Sequence, residues 1–237
     1  MKKLILAILL AVLTAVAAPA KTYLVAAGIA DYPGTENDLV LAAADARSLS
    51  ALFNGNNRAV TKTLVNSAAT KEAVLKAIQD QFAKAGPGDQ VVFFFSGHGI
   101  TGSIQCYDGA LTYARIAKAM SGCKAGSKAV FIDACHSGSL RQGNKKPDTS
   151  VKKKNIMFFL SCRDNEFSVE YPAMKNGVFT TCLIAALSGK ADTNRDRVIT
   201  AKELFDYVNP AAAKMSHYQQ HPVMWGNFEV NMPVIKW

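Results

Sequence analysis

The chain has 237 residues, 49% of them hydrophobic, with 27 Lys and Arg against 18 Asp and Glu for a formal net charge of +9. This composition, free of repeats and low-complexity tracts, excludes a disordered or fibrous protein, and the length suits one domain with a full-sized core. The charge is concentrated: residues 141–154 (RQGNKKPDTSVKKK) hold six basic residues against Asp148 and no aromatic, which argues against a nucleic-acid face, where basic and aromatic residues interleave.

In chain order, Lys2 and Lys3 precede an apolar run over 4–17, and Ala18-Pro19-Ala20 places small residues at a cleavage site. Residues 1–20 therefore read as a secretory signal peptide, leaving 21–237 as a domain exported to a periplasm or secreted, without stable membrane association. The alternative is an uncleaved anchor, but the run is short for a span of about 30 Å of hydrocarbon.

Residues 22–29 (TYLVAAGI) predict a core strand. The helical spacing of Leu41, Ala44, Leu49, Leu52 and Phe53 predicts a helix over 41–53. Within it Asp45, among alanines, reads from the residue alone as an ordinary solvated acid. Residues 59–65 predict a second strand, and 70–85 a helix capped by Thr70 with Glu72 in its first turn. Gly86-Pro87-Gly88-Asp89 then turns into an apolar run, 91–95 (VVFFF), that ends in Ser96-Gly97-His98-Gly99.

A short hairpin around 104–107 and a helix over 111–120 lead to a strand over 127–133, which ends in Asp133 and delivers Cys135-His136-Ser137-Gly138. Beyond the basic loop come a strand over 155–161, an apolar helix over 177–187, and a helix over 200–213 with the Thr200/Glu203 capping box. A last strand falls within 224–235. The alternation of strand and helix predicts an α/β fold, a mostly parallel central sheet with helices on both faces.

Two buried strands thus end in turns carrying His98 and Cys135. Open α/β sheets place their chemistry at such carboxyl ends, and a thiol within reach of an imidazole is what thiolate catalysis requires. By the period of two, Asp133 points to the same side of its strand as Cys135, where a carboxylate would attract Arg or Lys and repel Asp.

The motifs SGHG (96–99) and DACHSG (133–138) resemble those of the caspase-like cysteine peptidases, and the Asp two residues before the cysteine looks like the metacaspase branch. The resemblance covers nearly all of the chain after residue 20. It implies a caspase-like sandwich and a thiol endopeptidase acting on proteins or peptides with basic residues, through a thioester on Cys135 and with His98 as acid and base. It places oxyanion donors at the amides of Gly99 and Cys135, with Gly97 and Gly138 allowing close approach of the substrate. It also assigns Asp45, Ser96 and Asp133 to the pocket for Arg or Lys, and marks 141–154 as a segment open to self-cleavage. The chemistry requires no cofactor, though calcium activation is frequent in the family. The alternatives are a peptidase of different specificity and an inactive caspase-like binding module.

The five cysteines make an odd count. With Cys135 kept as a free thiol, Cys106 and Cys123 are the favoured disulfide pair, both lying between the His and Cys strands, while Cys162 and Cys182 read as buried small hydrophobes. Finally, Asp192, Asn194, Asp196, Thr200 and Glu203 fall at positions 1, 3, 5, 9 and 12 of an EF-hand calcium loop, but position 6, which favours glycine, is Arg197. A capped turn between helices is the alternative. His217 and His221 have no cysteine or carboxylate beside them in sequence, which argues against a metal site there.

Overall fold

The structure, a computed structural model, describes residues 20–135 and 156–237. The reading of 1–20 as a signal peptide falls almost entirely outside these residues, as do Gly138 and the 141–154 loop.

The core is a six-stranded sheet in the order β10-β8-β7-β3-β1-β2. Its parallel members are β1 (Thr22–Gly28), β2 (Ala59–Val65), β3 (Gln90–Ser96), β7 (Ser127–Asp133) and β8 (Met157–Leu160). β10 (Val223–Gly226) closes one edge antiparallel to β8. Strands buried on both faces are apolar throughout rather than alternating, and β3 shows why. Its Val91, Phe93 and Phe95 enter one core layer, while Val92 and Phe94 enter the other.

One layer is covered by α2 (Lys71–Phe82), through Val74, Ile78 and Phe82, and by α3 (Tyr113–Ser121), through Ile116 and Met120. The other is covered by α1 (Ala42–Asn54), α4 (Val178–Ala185) and α5 (Ala201–Met215), through Leu49, Phe53, Phe179, Leu183, Leu204 and Val208. The caps behave as read: Thr70 accepts from Ala73 N at 3.2 Å, and the Thr200/Glu203 capping box is formed.

Some expectations are corrected. The hairpin is a three-stranded antiparallel sheet of β4 (Gly99–Ile100), β5 (Ser103–Cys106) and β6 (Gly109–Thr112). The last strand divides, because Gly226 at φ 136° breaks the run. β11 (Pro233–Lys236) then pairs with β9 (Val198–Thr200), away from the main sheet. Cys106 and Cys123 are not bridged: the chain between them folds into β6 and α3, so Cys106 is buried from β5 while Cys123 sits half-buried just beyond α3. Cys162 and Cys182 are buried, and the Cys162 thiol donates to the Ala134 and Glu166 carbonyls at 3.5 and 3.3 Å.

Candidate active site

β3 and β7 are neighbours whose last residues pair, Ser96 opposite Asp133, so their exit turns start level. The Gly97 amide donates to the Asp133 carbonyl at 3.1 Å. Gly99 then presses on the next turn so closely that a Cβ there would lie 2.3 Å from the Cys135 carbonyl oxygen. Only glycine permits this backbone contact, which joins the His98 and Cys135 turns.

His98 is fixed from the β1 side. Its backbone N–H donates to Tyr32 Oη at 2.9 Å, Tyr32 Oη donates to the Gln105 carbonyl at 2.9 Å, and the two rings lie 4.9 Å apart. The imidazole Nε2 is 2.8 Å from the Asn37 carbonyl. A carbonyl can only accept, so this bond assigns the proton to Nε2 and leaves Nδ1 as the basic nitrogen.

Cys135 is half-buried. Burial raises its thiol pKa, opposed by the Ser168 backbone N–H, and the negative charges of Asp133 and Glu170 push it further up. The resting group is therefore a neutral thiol, and a nucleophilic thiolate has to be made by passing its proton to a base.

Ser96 and Asp133 continue the β3 and β7 positions that face α1 and α4, and there the acids gather. Asp45 is fully buried, contrary to the solvated reading from the residue alone. Its Oδ1 accepts from Asn176 Nδ2 at 2.9 Å and Gly177 N at 3.0 Å, and its Oδ2 from Ser96 Oγ at 2.8 Å. Asp133 Oδ2 accepts from Thr180 Oγ1 at 2.7 Å and Thr180 N at 3.2 Å, while Oδ1 accepts from Ser168 Oγ. Gly177 separates the two carboxylates, leaving a Cβ only 3.1 and 3.3 Å from their oxygens. Burial, then the neighbouring Asp133 charge, pushes Asp45 up to about 8, and burial likewise raises Asp133.

The sequence motifs missed Glu170. Its Oε2 accepts from the Leu41 amide at 3.3 Å, at the start of α1. Burial and then Asp133 raise its pKa, with the Leu41 and Val40 amides and His98 opposing. Ser168 and Glu170 reach the site while Val169 between them packs into the core, a period-two pattern too short to recognise in a loop. Among the described residues no Lys or Arg forms an ion pair with Asp45, Asp133 or Glu170.

The 192–203 loop is built differently. Asp192 accepts from Asp196 N and Arg197 N, Asp196 from Val198 N, and Glu203 from Thr193 and Thr200, so each carboxylate closes the loop on itself. Arg197 does take the positive φ of the sixth position, at 64°. Among the described residues no three His, Cys, Asp or Glu side chains gather into a group that could hold a metal. His221 has a carboxylate neighbour that sequence proximity did not reveal: Glu166 Oε1 lies 2.8 Å from its Nδ1.

A family model described as the caspase domain matches residues 23–231. The fold is shared with caspase-1 of Spodoptera frugiperda at 15% identity and a TM-score of 0.69, over 92% of this chain and 90% of that one. It is shared also with a Geobacter sulfurreducens protein solved as a structural genomics target, at 20% identity and a TM-score of 0.65, over 88% of this chain and 94% of that one. No curated protein matches in sequence.

Proposed function

The chain belongs to the caspase-domain family of cysteine peptidases, and on that premise we propose that it is an exported, metacaspase-like endopeptidase that cleaves after Arg or Lys with a Cys135 and His98 dyad. The observation that carries the specificity is the set of three carboxylates, Asp45, Asp133 and Glu170, gathered beside the nucleophile with no cation paired to them among the described residues. Buried carboxylates are either paired or protonated. Burial raises all three above the ordinary carboxylate range, and the Arg or Lys side chain of a substrate supplies a positive partner. An Asp side chain in the same place would add a fourth acid and be rejected.

The reaction then needs only the chain's own groups. His98 Nδ1 takes the Cys135 proton as sulfur attacks the scissile carbonyl, forming the C–S bond and moving the carbonyl electron pair onto oxygen. The amides of Gly99 and Cys135 hold that oxyanion. Collapse restores the carbonyl and breaks the C–N bond, and the imidazolium gives its proton to the departing amine. Water attacks the resulting thioester, His98 takes its proton, and the C–S bond breaks to return the thiol and release the acid.

No cofactor enters these steps. Calcium belongs to this reading only as a ligand of the 192–203 loop, on the spacing of its acids, and not as part of the chemistry. In the same reading residues 1–20 are the export signal, and the six basic residues of 141–154 are a target for self-cleavage.

An arginine-based irreversible ketone probe tests the proposal. Mass spectrometry is expected to find it on Cys135 alone, with labelling lost in His98→Ala. Equal modification of every accessible cysteine, indifferent to His98→Ala, would replace the peptidase with a binding module.

A further inference from the structure

Resting on the peptidase reading, the structure carries one step more, to the residue that follows the cut. The acids lie on the α1 and α4 side of the sheet, through Ser96 and Asp133. His98 leans the other way: its ring packs on Tyr32, a member of the core layer under α2 and α3. On that side opens a cavity of about 610 Å³, walled by His98, Tyr32, Pro33, Ile100, Tyr107 and Asp108. Gly99, which packs against the Cys135 carbonyl, also lines it, so the cavity borders the turn that carries the nucleophile.

A peptide that places its basic side chain among the acids must cross the rim over Cys135. The group protonated as the bond breaks is the amine of the following residue, and the imidazole that protonates it forms the cavity wall. The chain after the scissile bond therefore leaves over this cavity. We propose that the cavity is a binding site for a bulky apolar side chain, aromatic or branched aliphatic, on the residue immediately after the scissile bond.

Its chemistry fits that occupant. Tyr32, Pro33, Ile100 and Tyr107 present apolar surface, and Ile100 is 48% exposed, more than its side chain would be with the cavity filled. The rim charge is offset: Asp108 Oδ1 accepts from the Lys71 amide at 2.7 Å, and the Lys71 ammonium lies 3.2 Å from where a Cβ on Gly109 would be. Neither sign of charge is singled out, so apolar burial governs the choice.

The test measures binding in Cys135→Ala protein, so that it does not depend on turnover. Fluorescent peptides identical through an Arg, and followed by Phe, Leu or Gly, are compared by anisotropy. The Phe and Leu peptides are expected to bind roughly tenfold tighter than the Gly peptide. That gap is expected to shrink towards one when Ile100→Asp, at an exposed position that should not disturb folding, or Tyr107→Ala is added. Affinities equal within about twofold, no binding of any peptide, or a gap that survives both substitutions overturns the assignment. The peptidase reading is judged separately, by whether the wild-type protein releases a dye from an Arg amide with no residue after the bond. Failure there leaves the affinity comparison to decide the cavity.

Discussion

Two acid-rich regions of this molecule look alike in sequence and are built in opposite ways. In the 192–203 loop the carboxylates accept from donors 2 to 10 residues away, and most of these bonds are exposed. At the sheet rim Asp45 accepts from donors 51, 131 and 132 residues away, and Asp133 from donors 35 and 47 residues away. Local bonds shape a turn and leave the acids solvated, at little energetic cost. Distant bonds hold carboxylates where burial penalises their charge, a cost that persists where function uses it. The spacing of acids along a chain therefore says less about a site than the origin of the groups that hold them.

The comparison can be broken at several points. The largest effect is expected from Cys135→Ala and His98→Ala, each lowering turnover of an Arg peptide by about 10⁴-fold or more. Next come Asp133→Asn and Asp45→Asn, which remove a buried partner of the substrate cation. Their kcat/KM for Arg peptides should fall by about 3 kcal/mol, roughly 100-fold, with circular dichroism confirming the fold. Glu170→Gln, half-exposed, should lose roughly tenfold.

A pH series sharpens the comparison. Asp45 in the folded chain is raised to about 8 from a reference of 3.8. The folded state thus binds this proton more tightly than the unfolded one, and the stability that follows is lost as pH rises through about 8. Tm is expected to fall from about pH 4 to about pH 8 in the wild type and to level off above that, and to fall less in Asp45→Asn. Arg peptides should bind better over the same rise, because fewer protons have to be displaced. The smallest effect is expected from Asp192→Asn combined with Asp196→Asn: about 1 kcal/mol in stability and turnover within about twofold, with calcium or chelator also changing turnover by no more than about twofold. A large calcium response that the double substitution abolishes would show that calcium acts on turnover through this loop.

The sequence carried the strands well where an apolar run meets a turn: 59–65 and 127–133 keep both ends, and the exits carrying His98 and Cys135 do lie side by side. It failed where position depends on distant chain. Asp45 looks solvated among alanines, because Asn176 and Gly177, which bury it, are more than 130 residues away. Glu170 sits in no motif and becomes part of the site only because Leu41 and Ser168 bring its loop there. Cys106 and Cys123 look pairable from their place between the two strands, but the chain between them folds into β6 and α3 and leaves them unbridged. The motif resemblance singles out Asp45 and Ser96, and the structure joins the two by a hydrogen bond.

The most direct test of the central claim, that the carboxylates beside Cys135 select a basic residue, is turnover of matched fluorogenic peptides ending in Arg, Lys or Asp. Wild-type protein and Cys135→Ala are compared, with calcium and with chelator. The account predicts hydrolysis of the Arg and Lys peptides, none of the Asp peptide, and none of any peptide by Cys135→Ala. Hydrolysis of the Asp peptide at a comparable rate, or of the Arg peptide by Cys135→Ala, would contradict it.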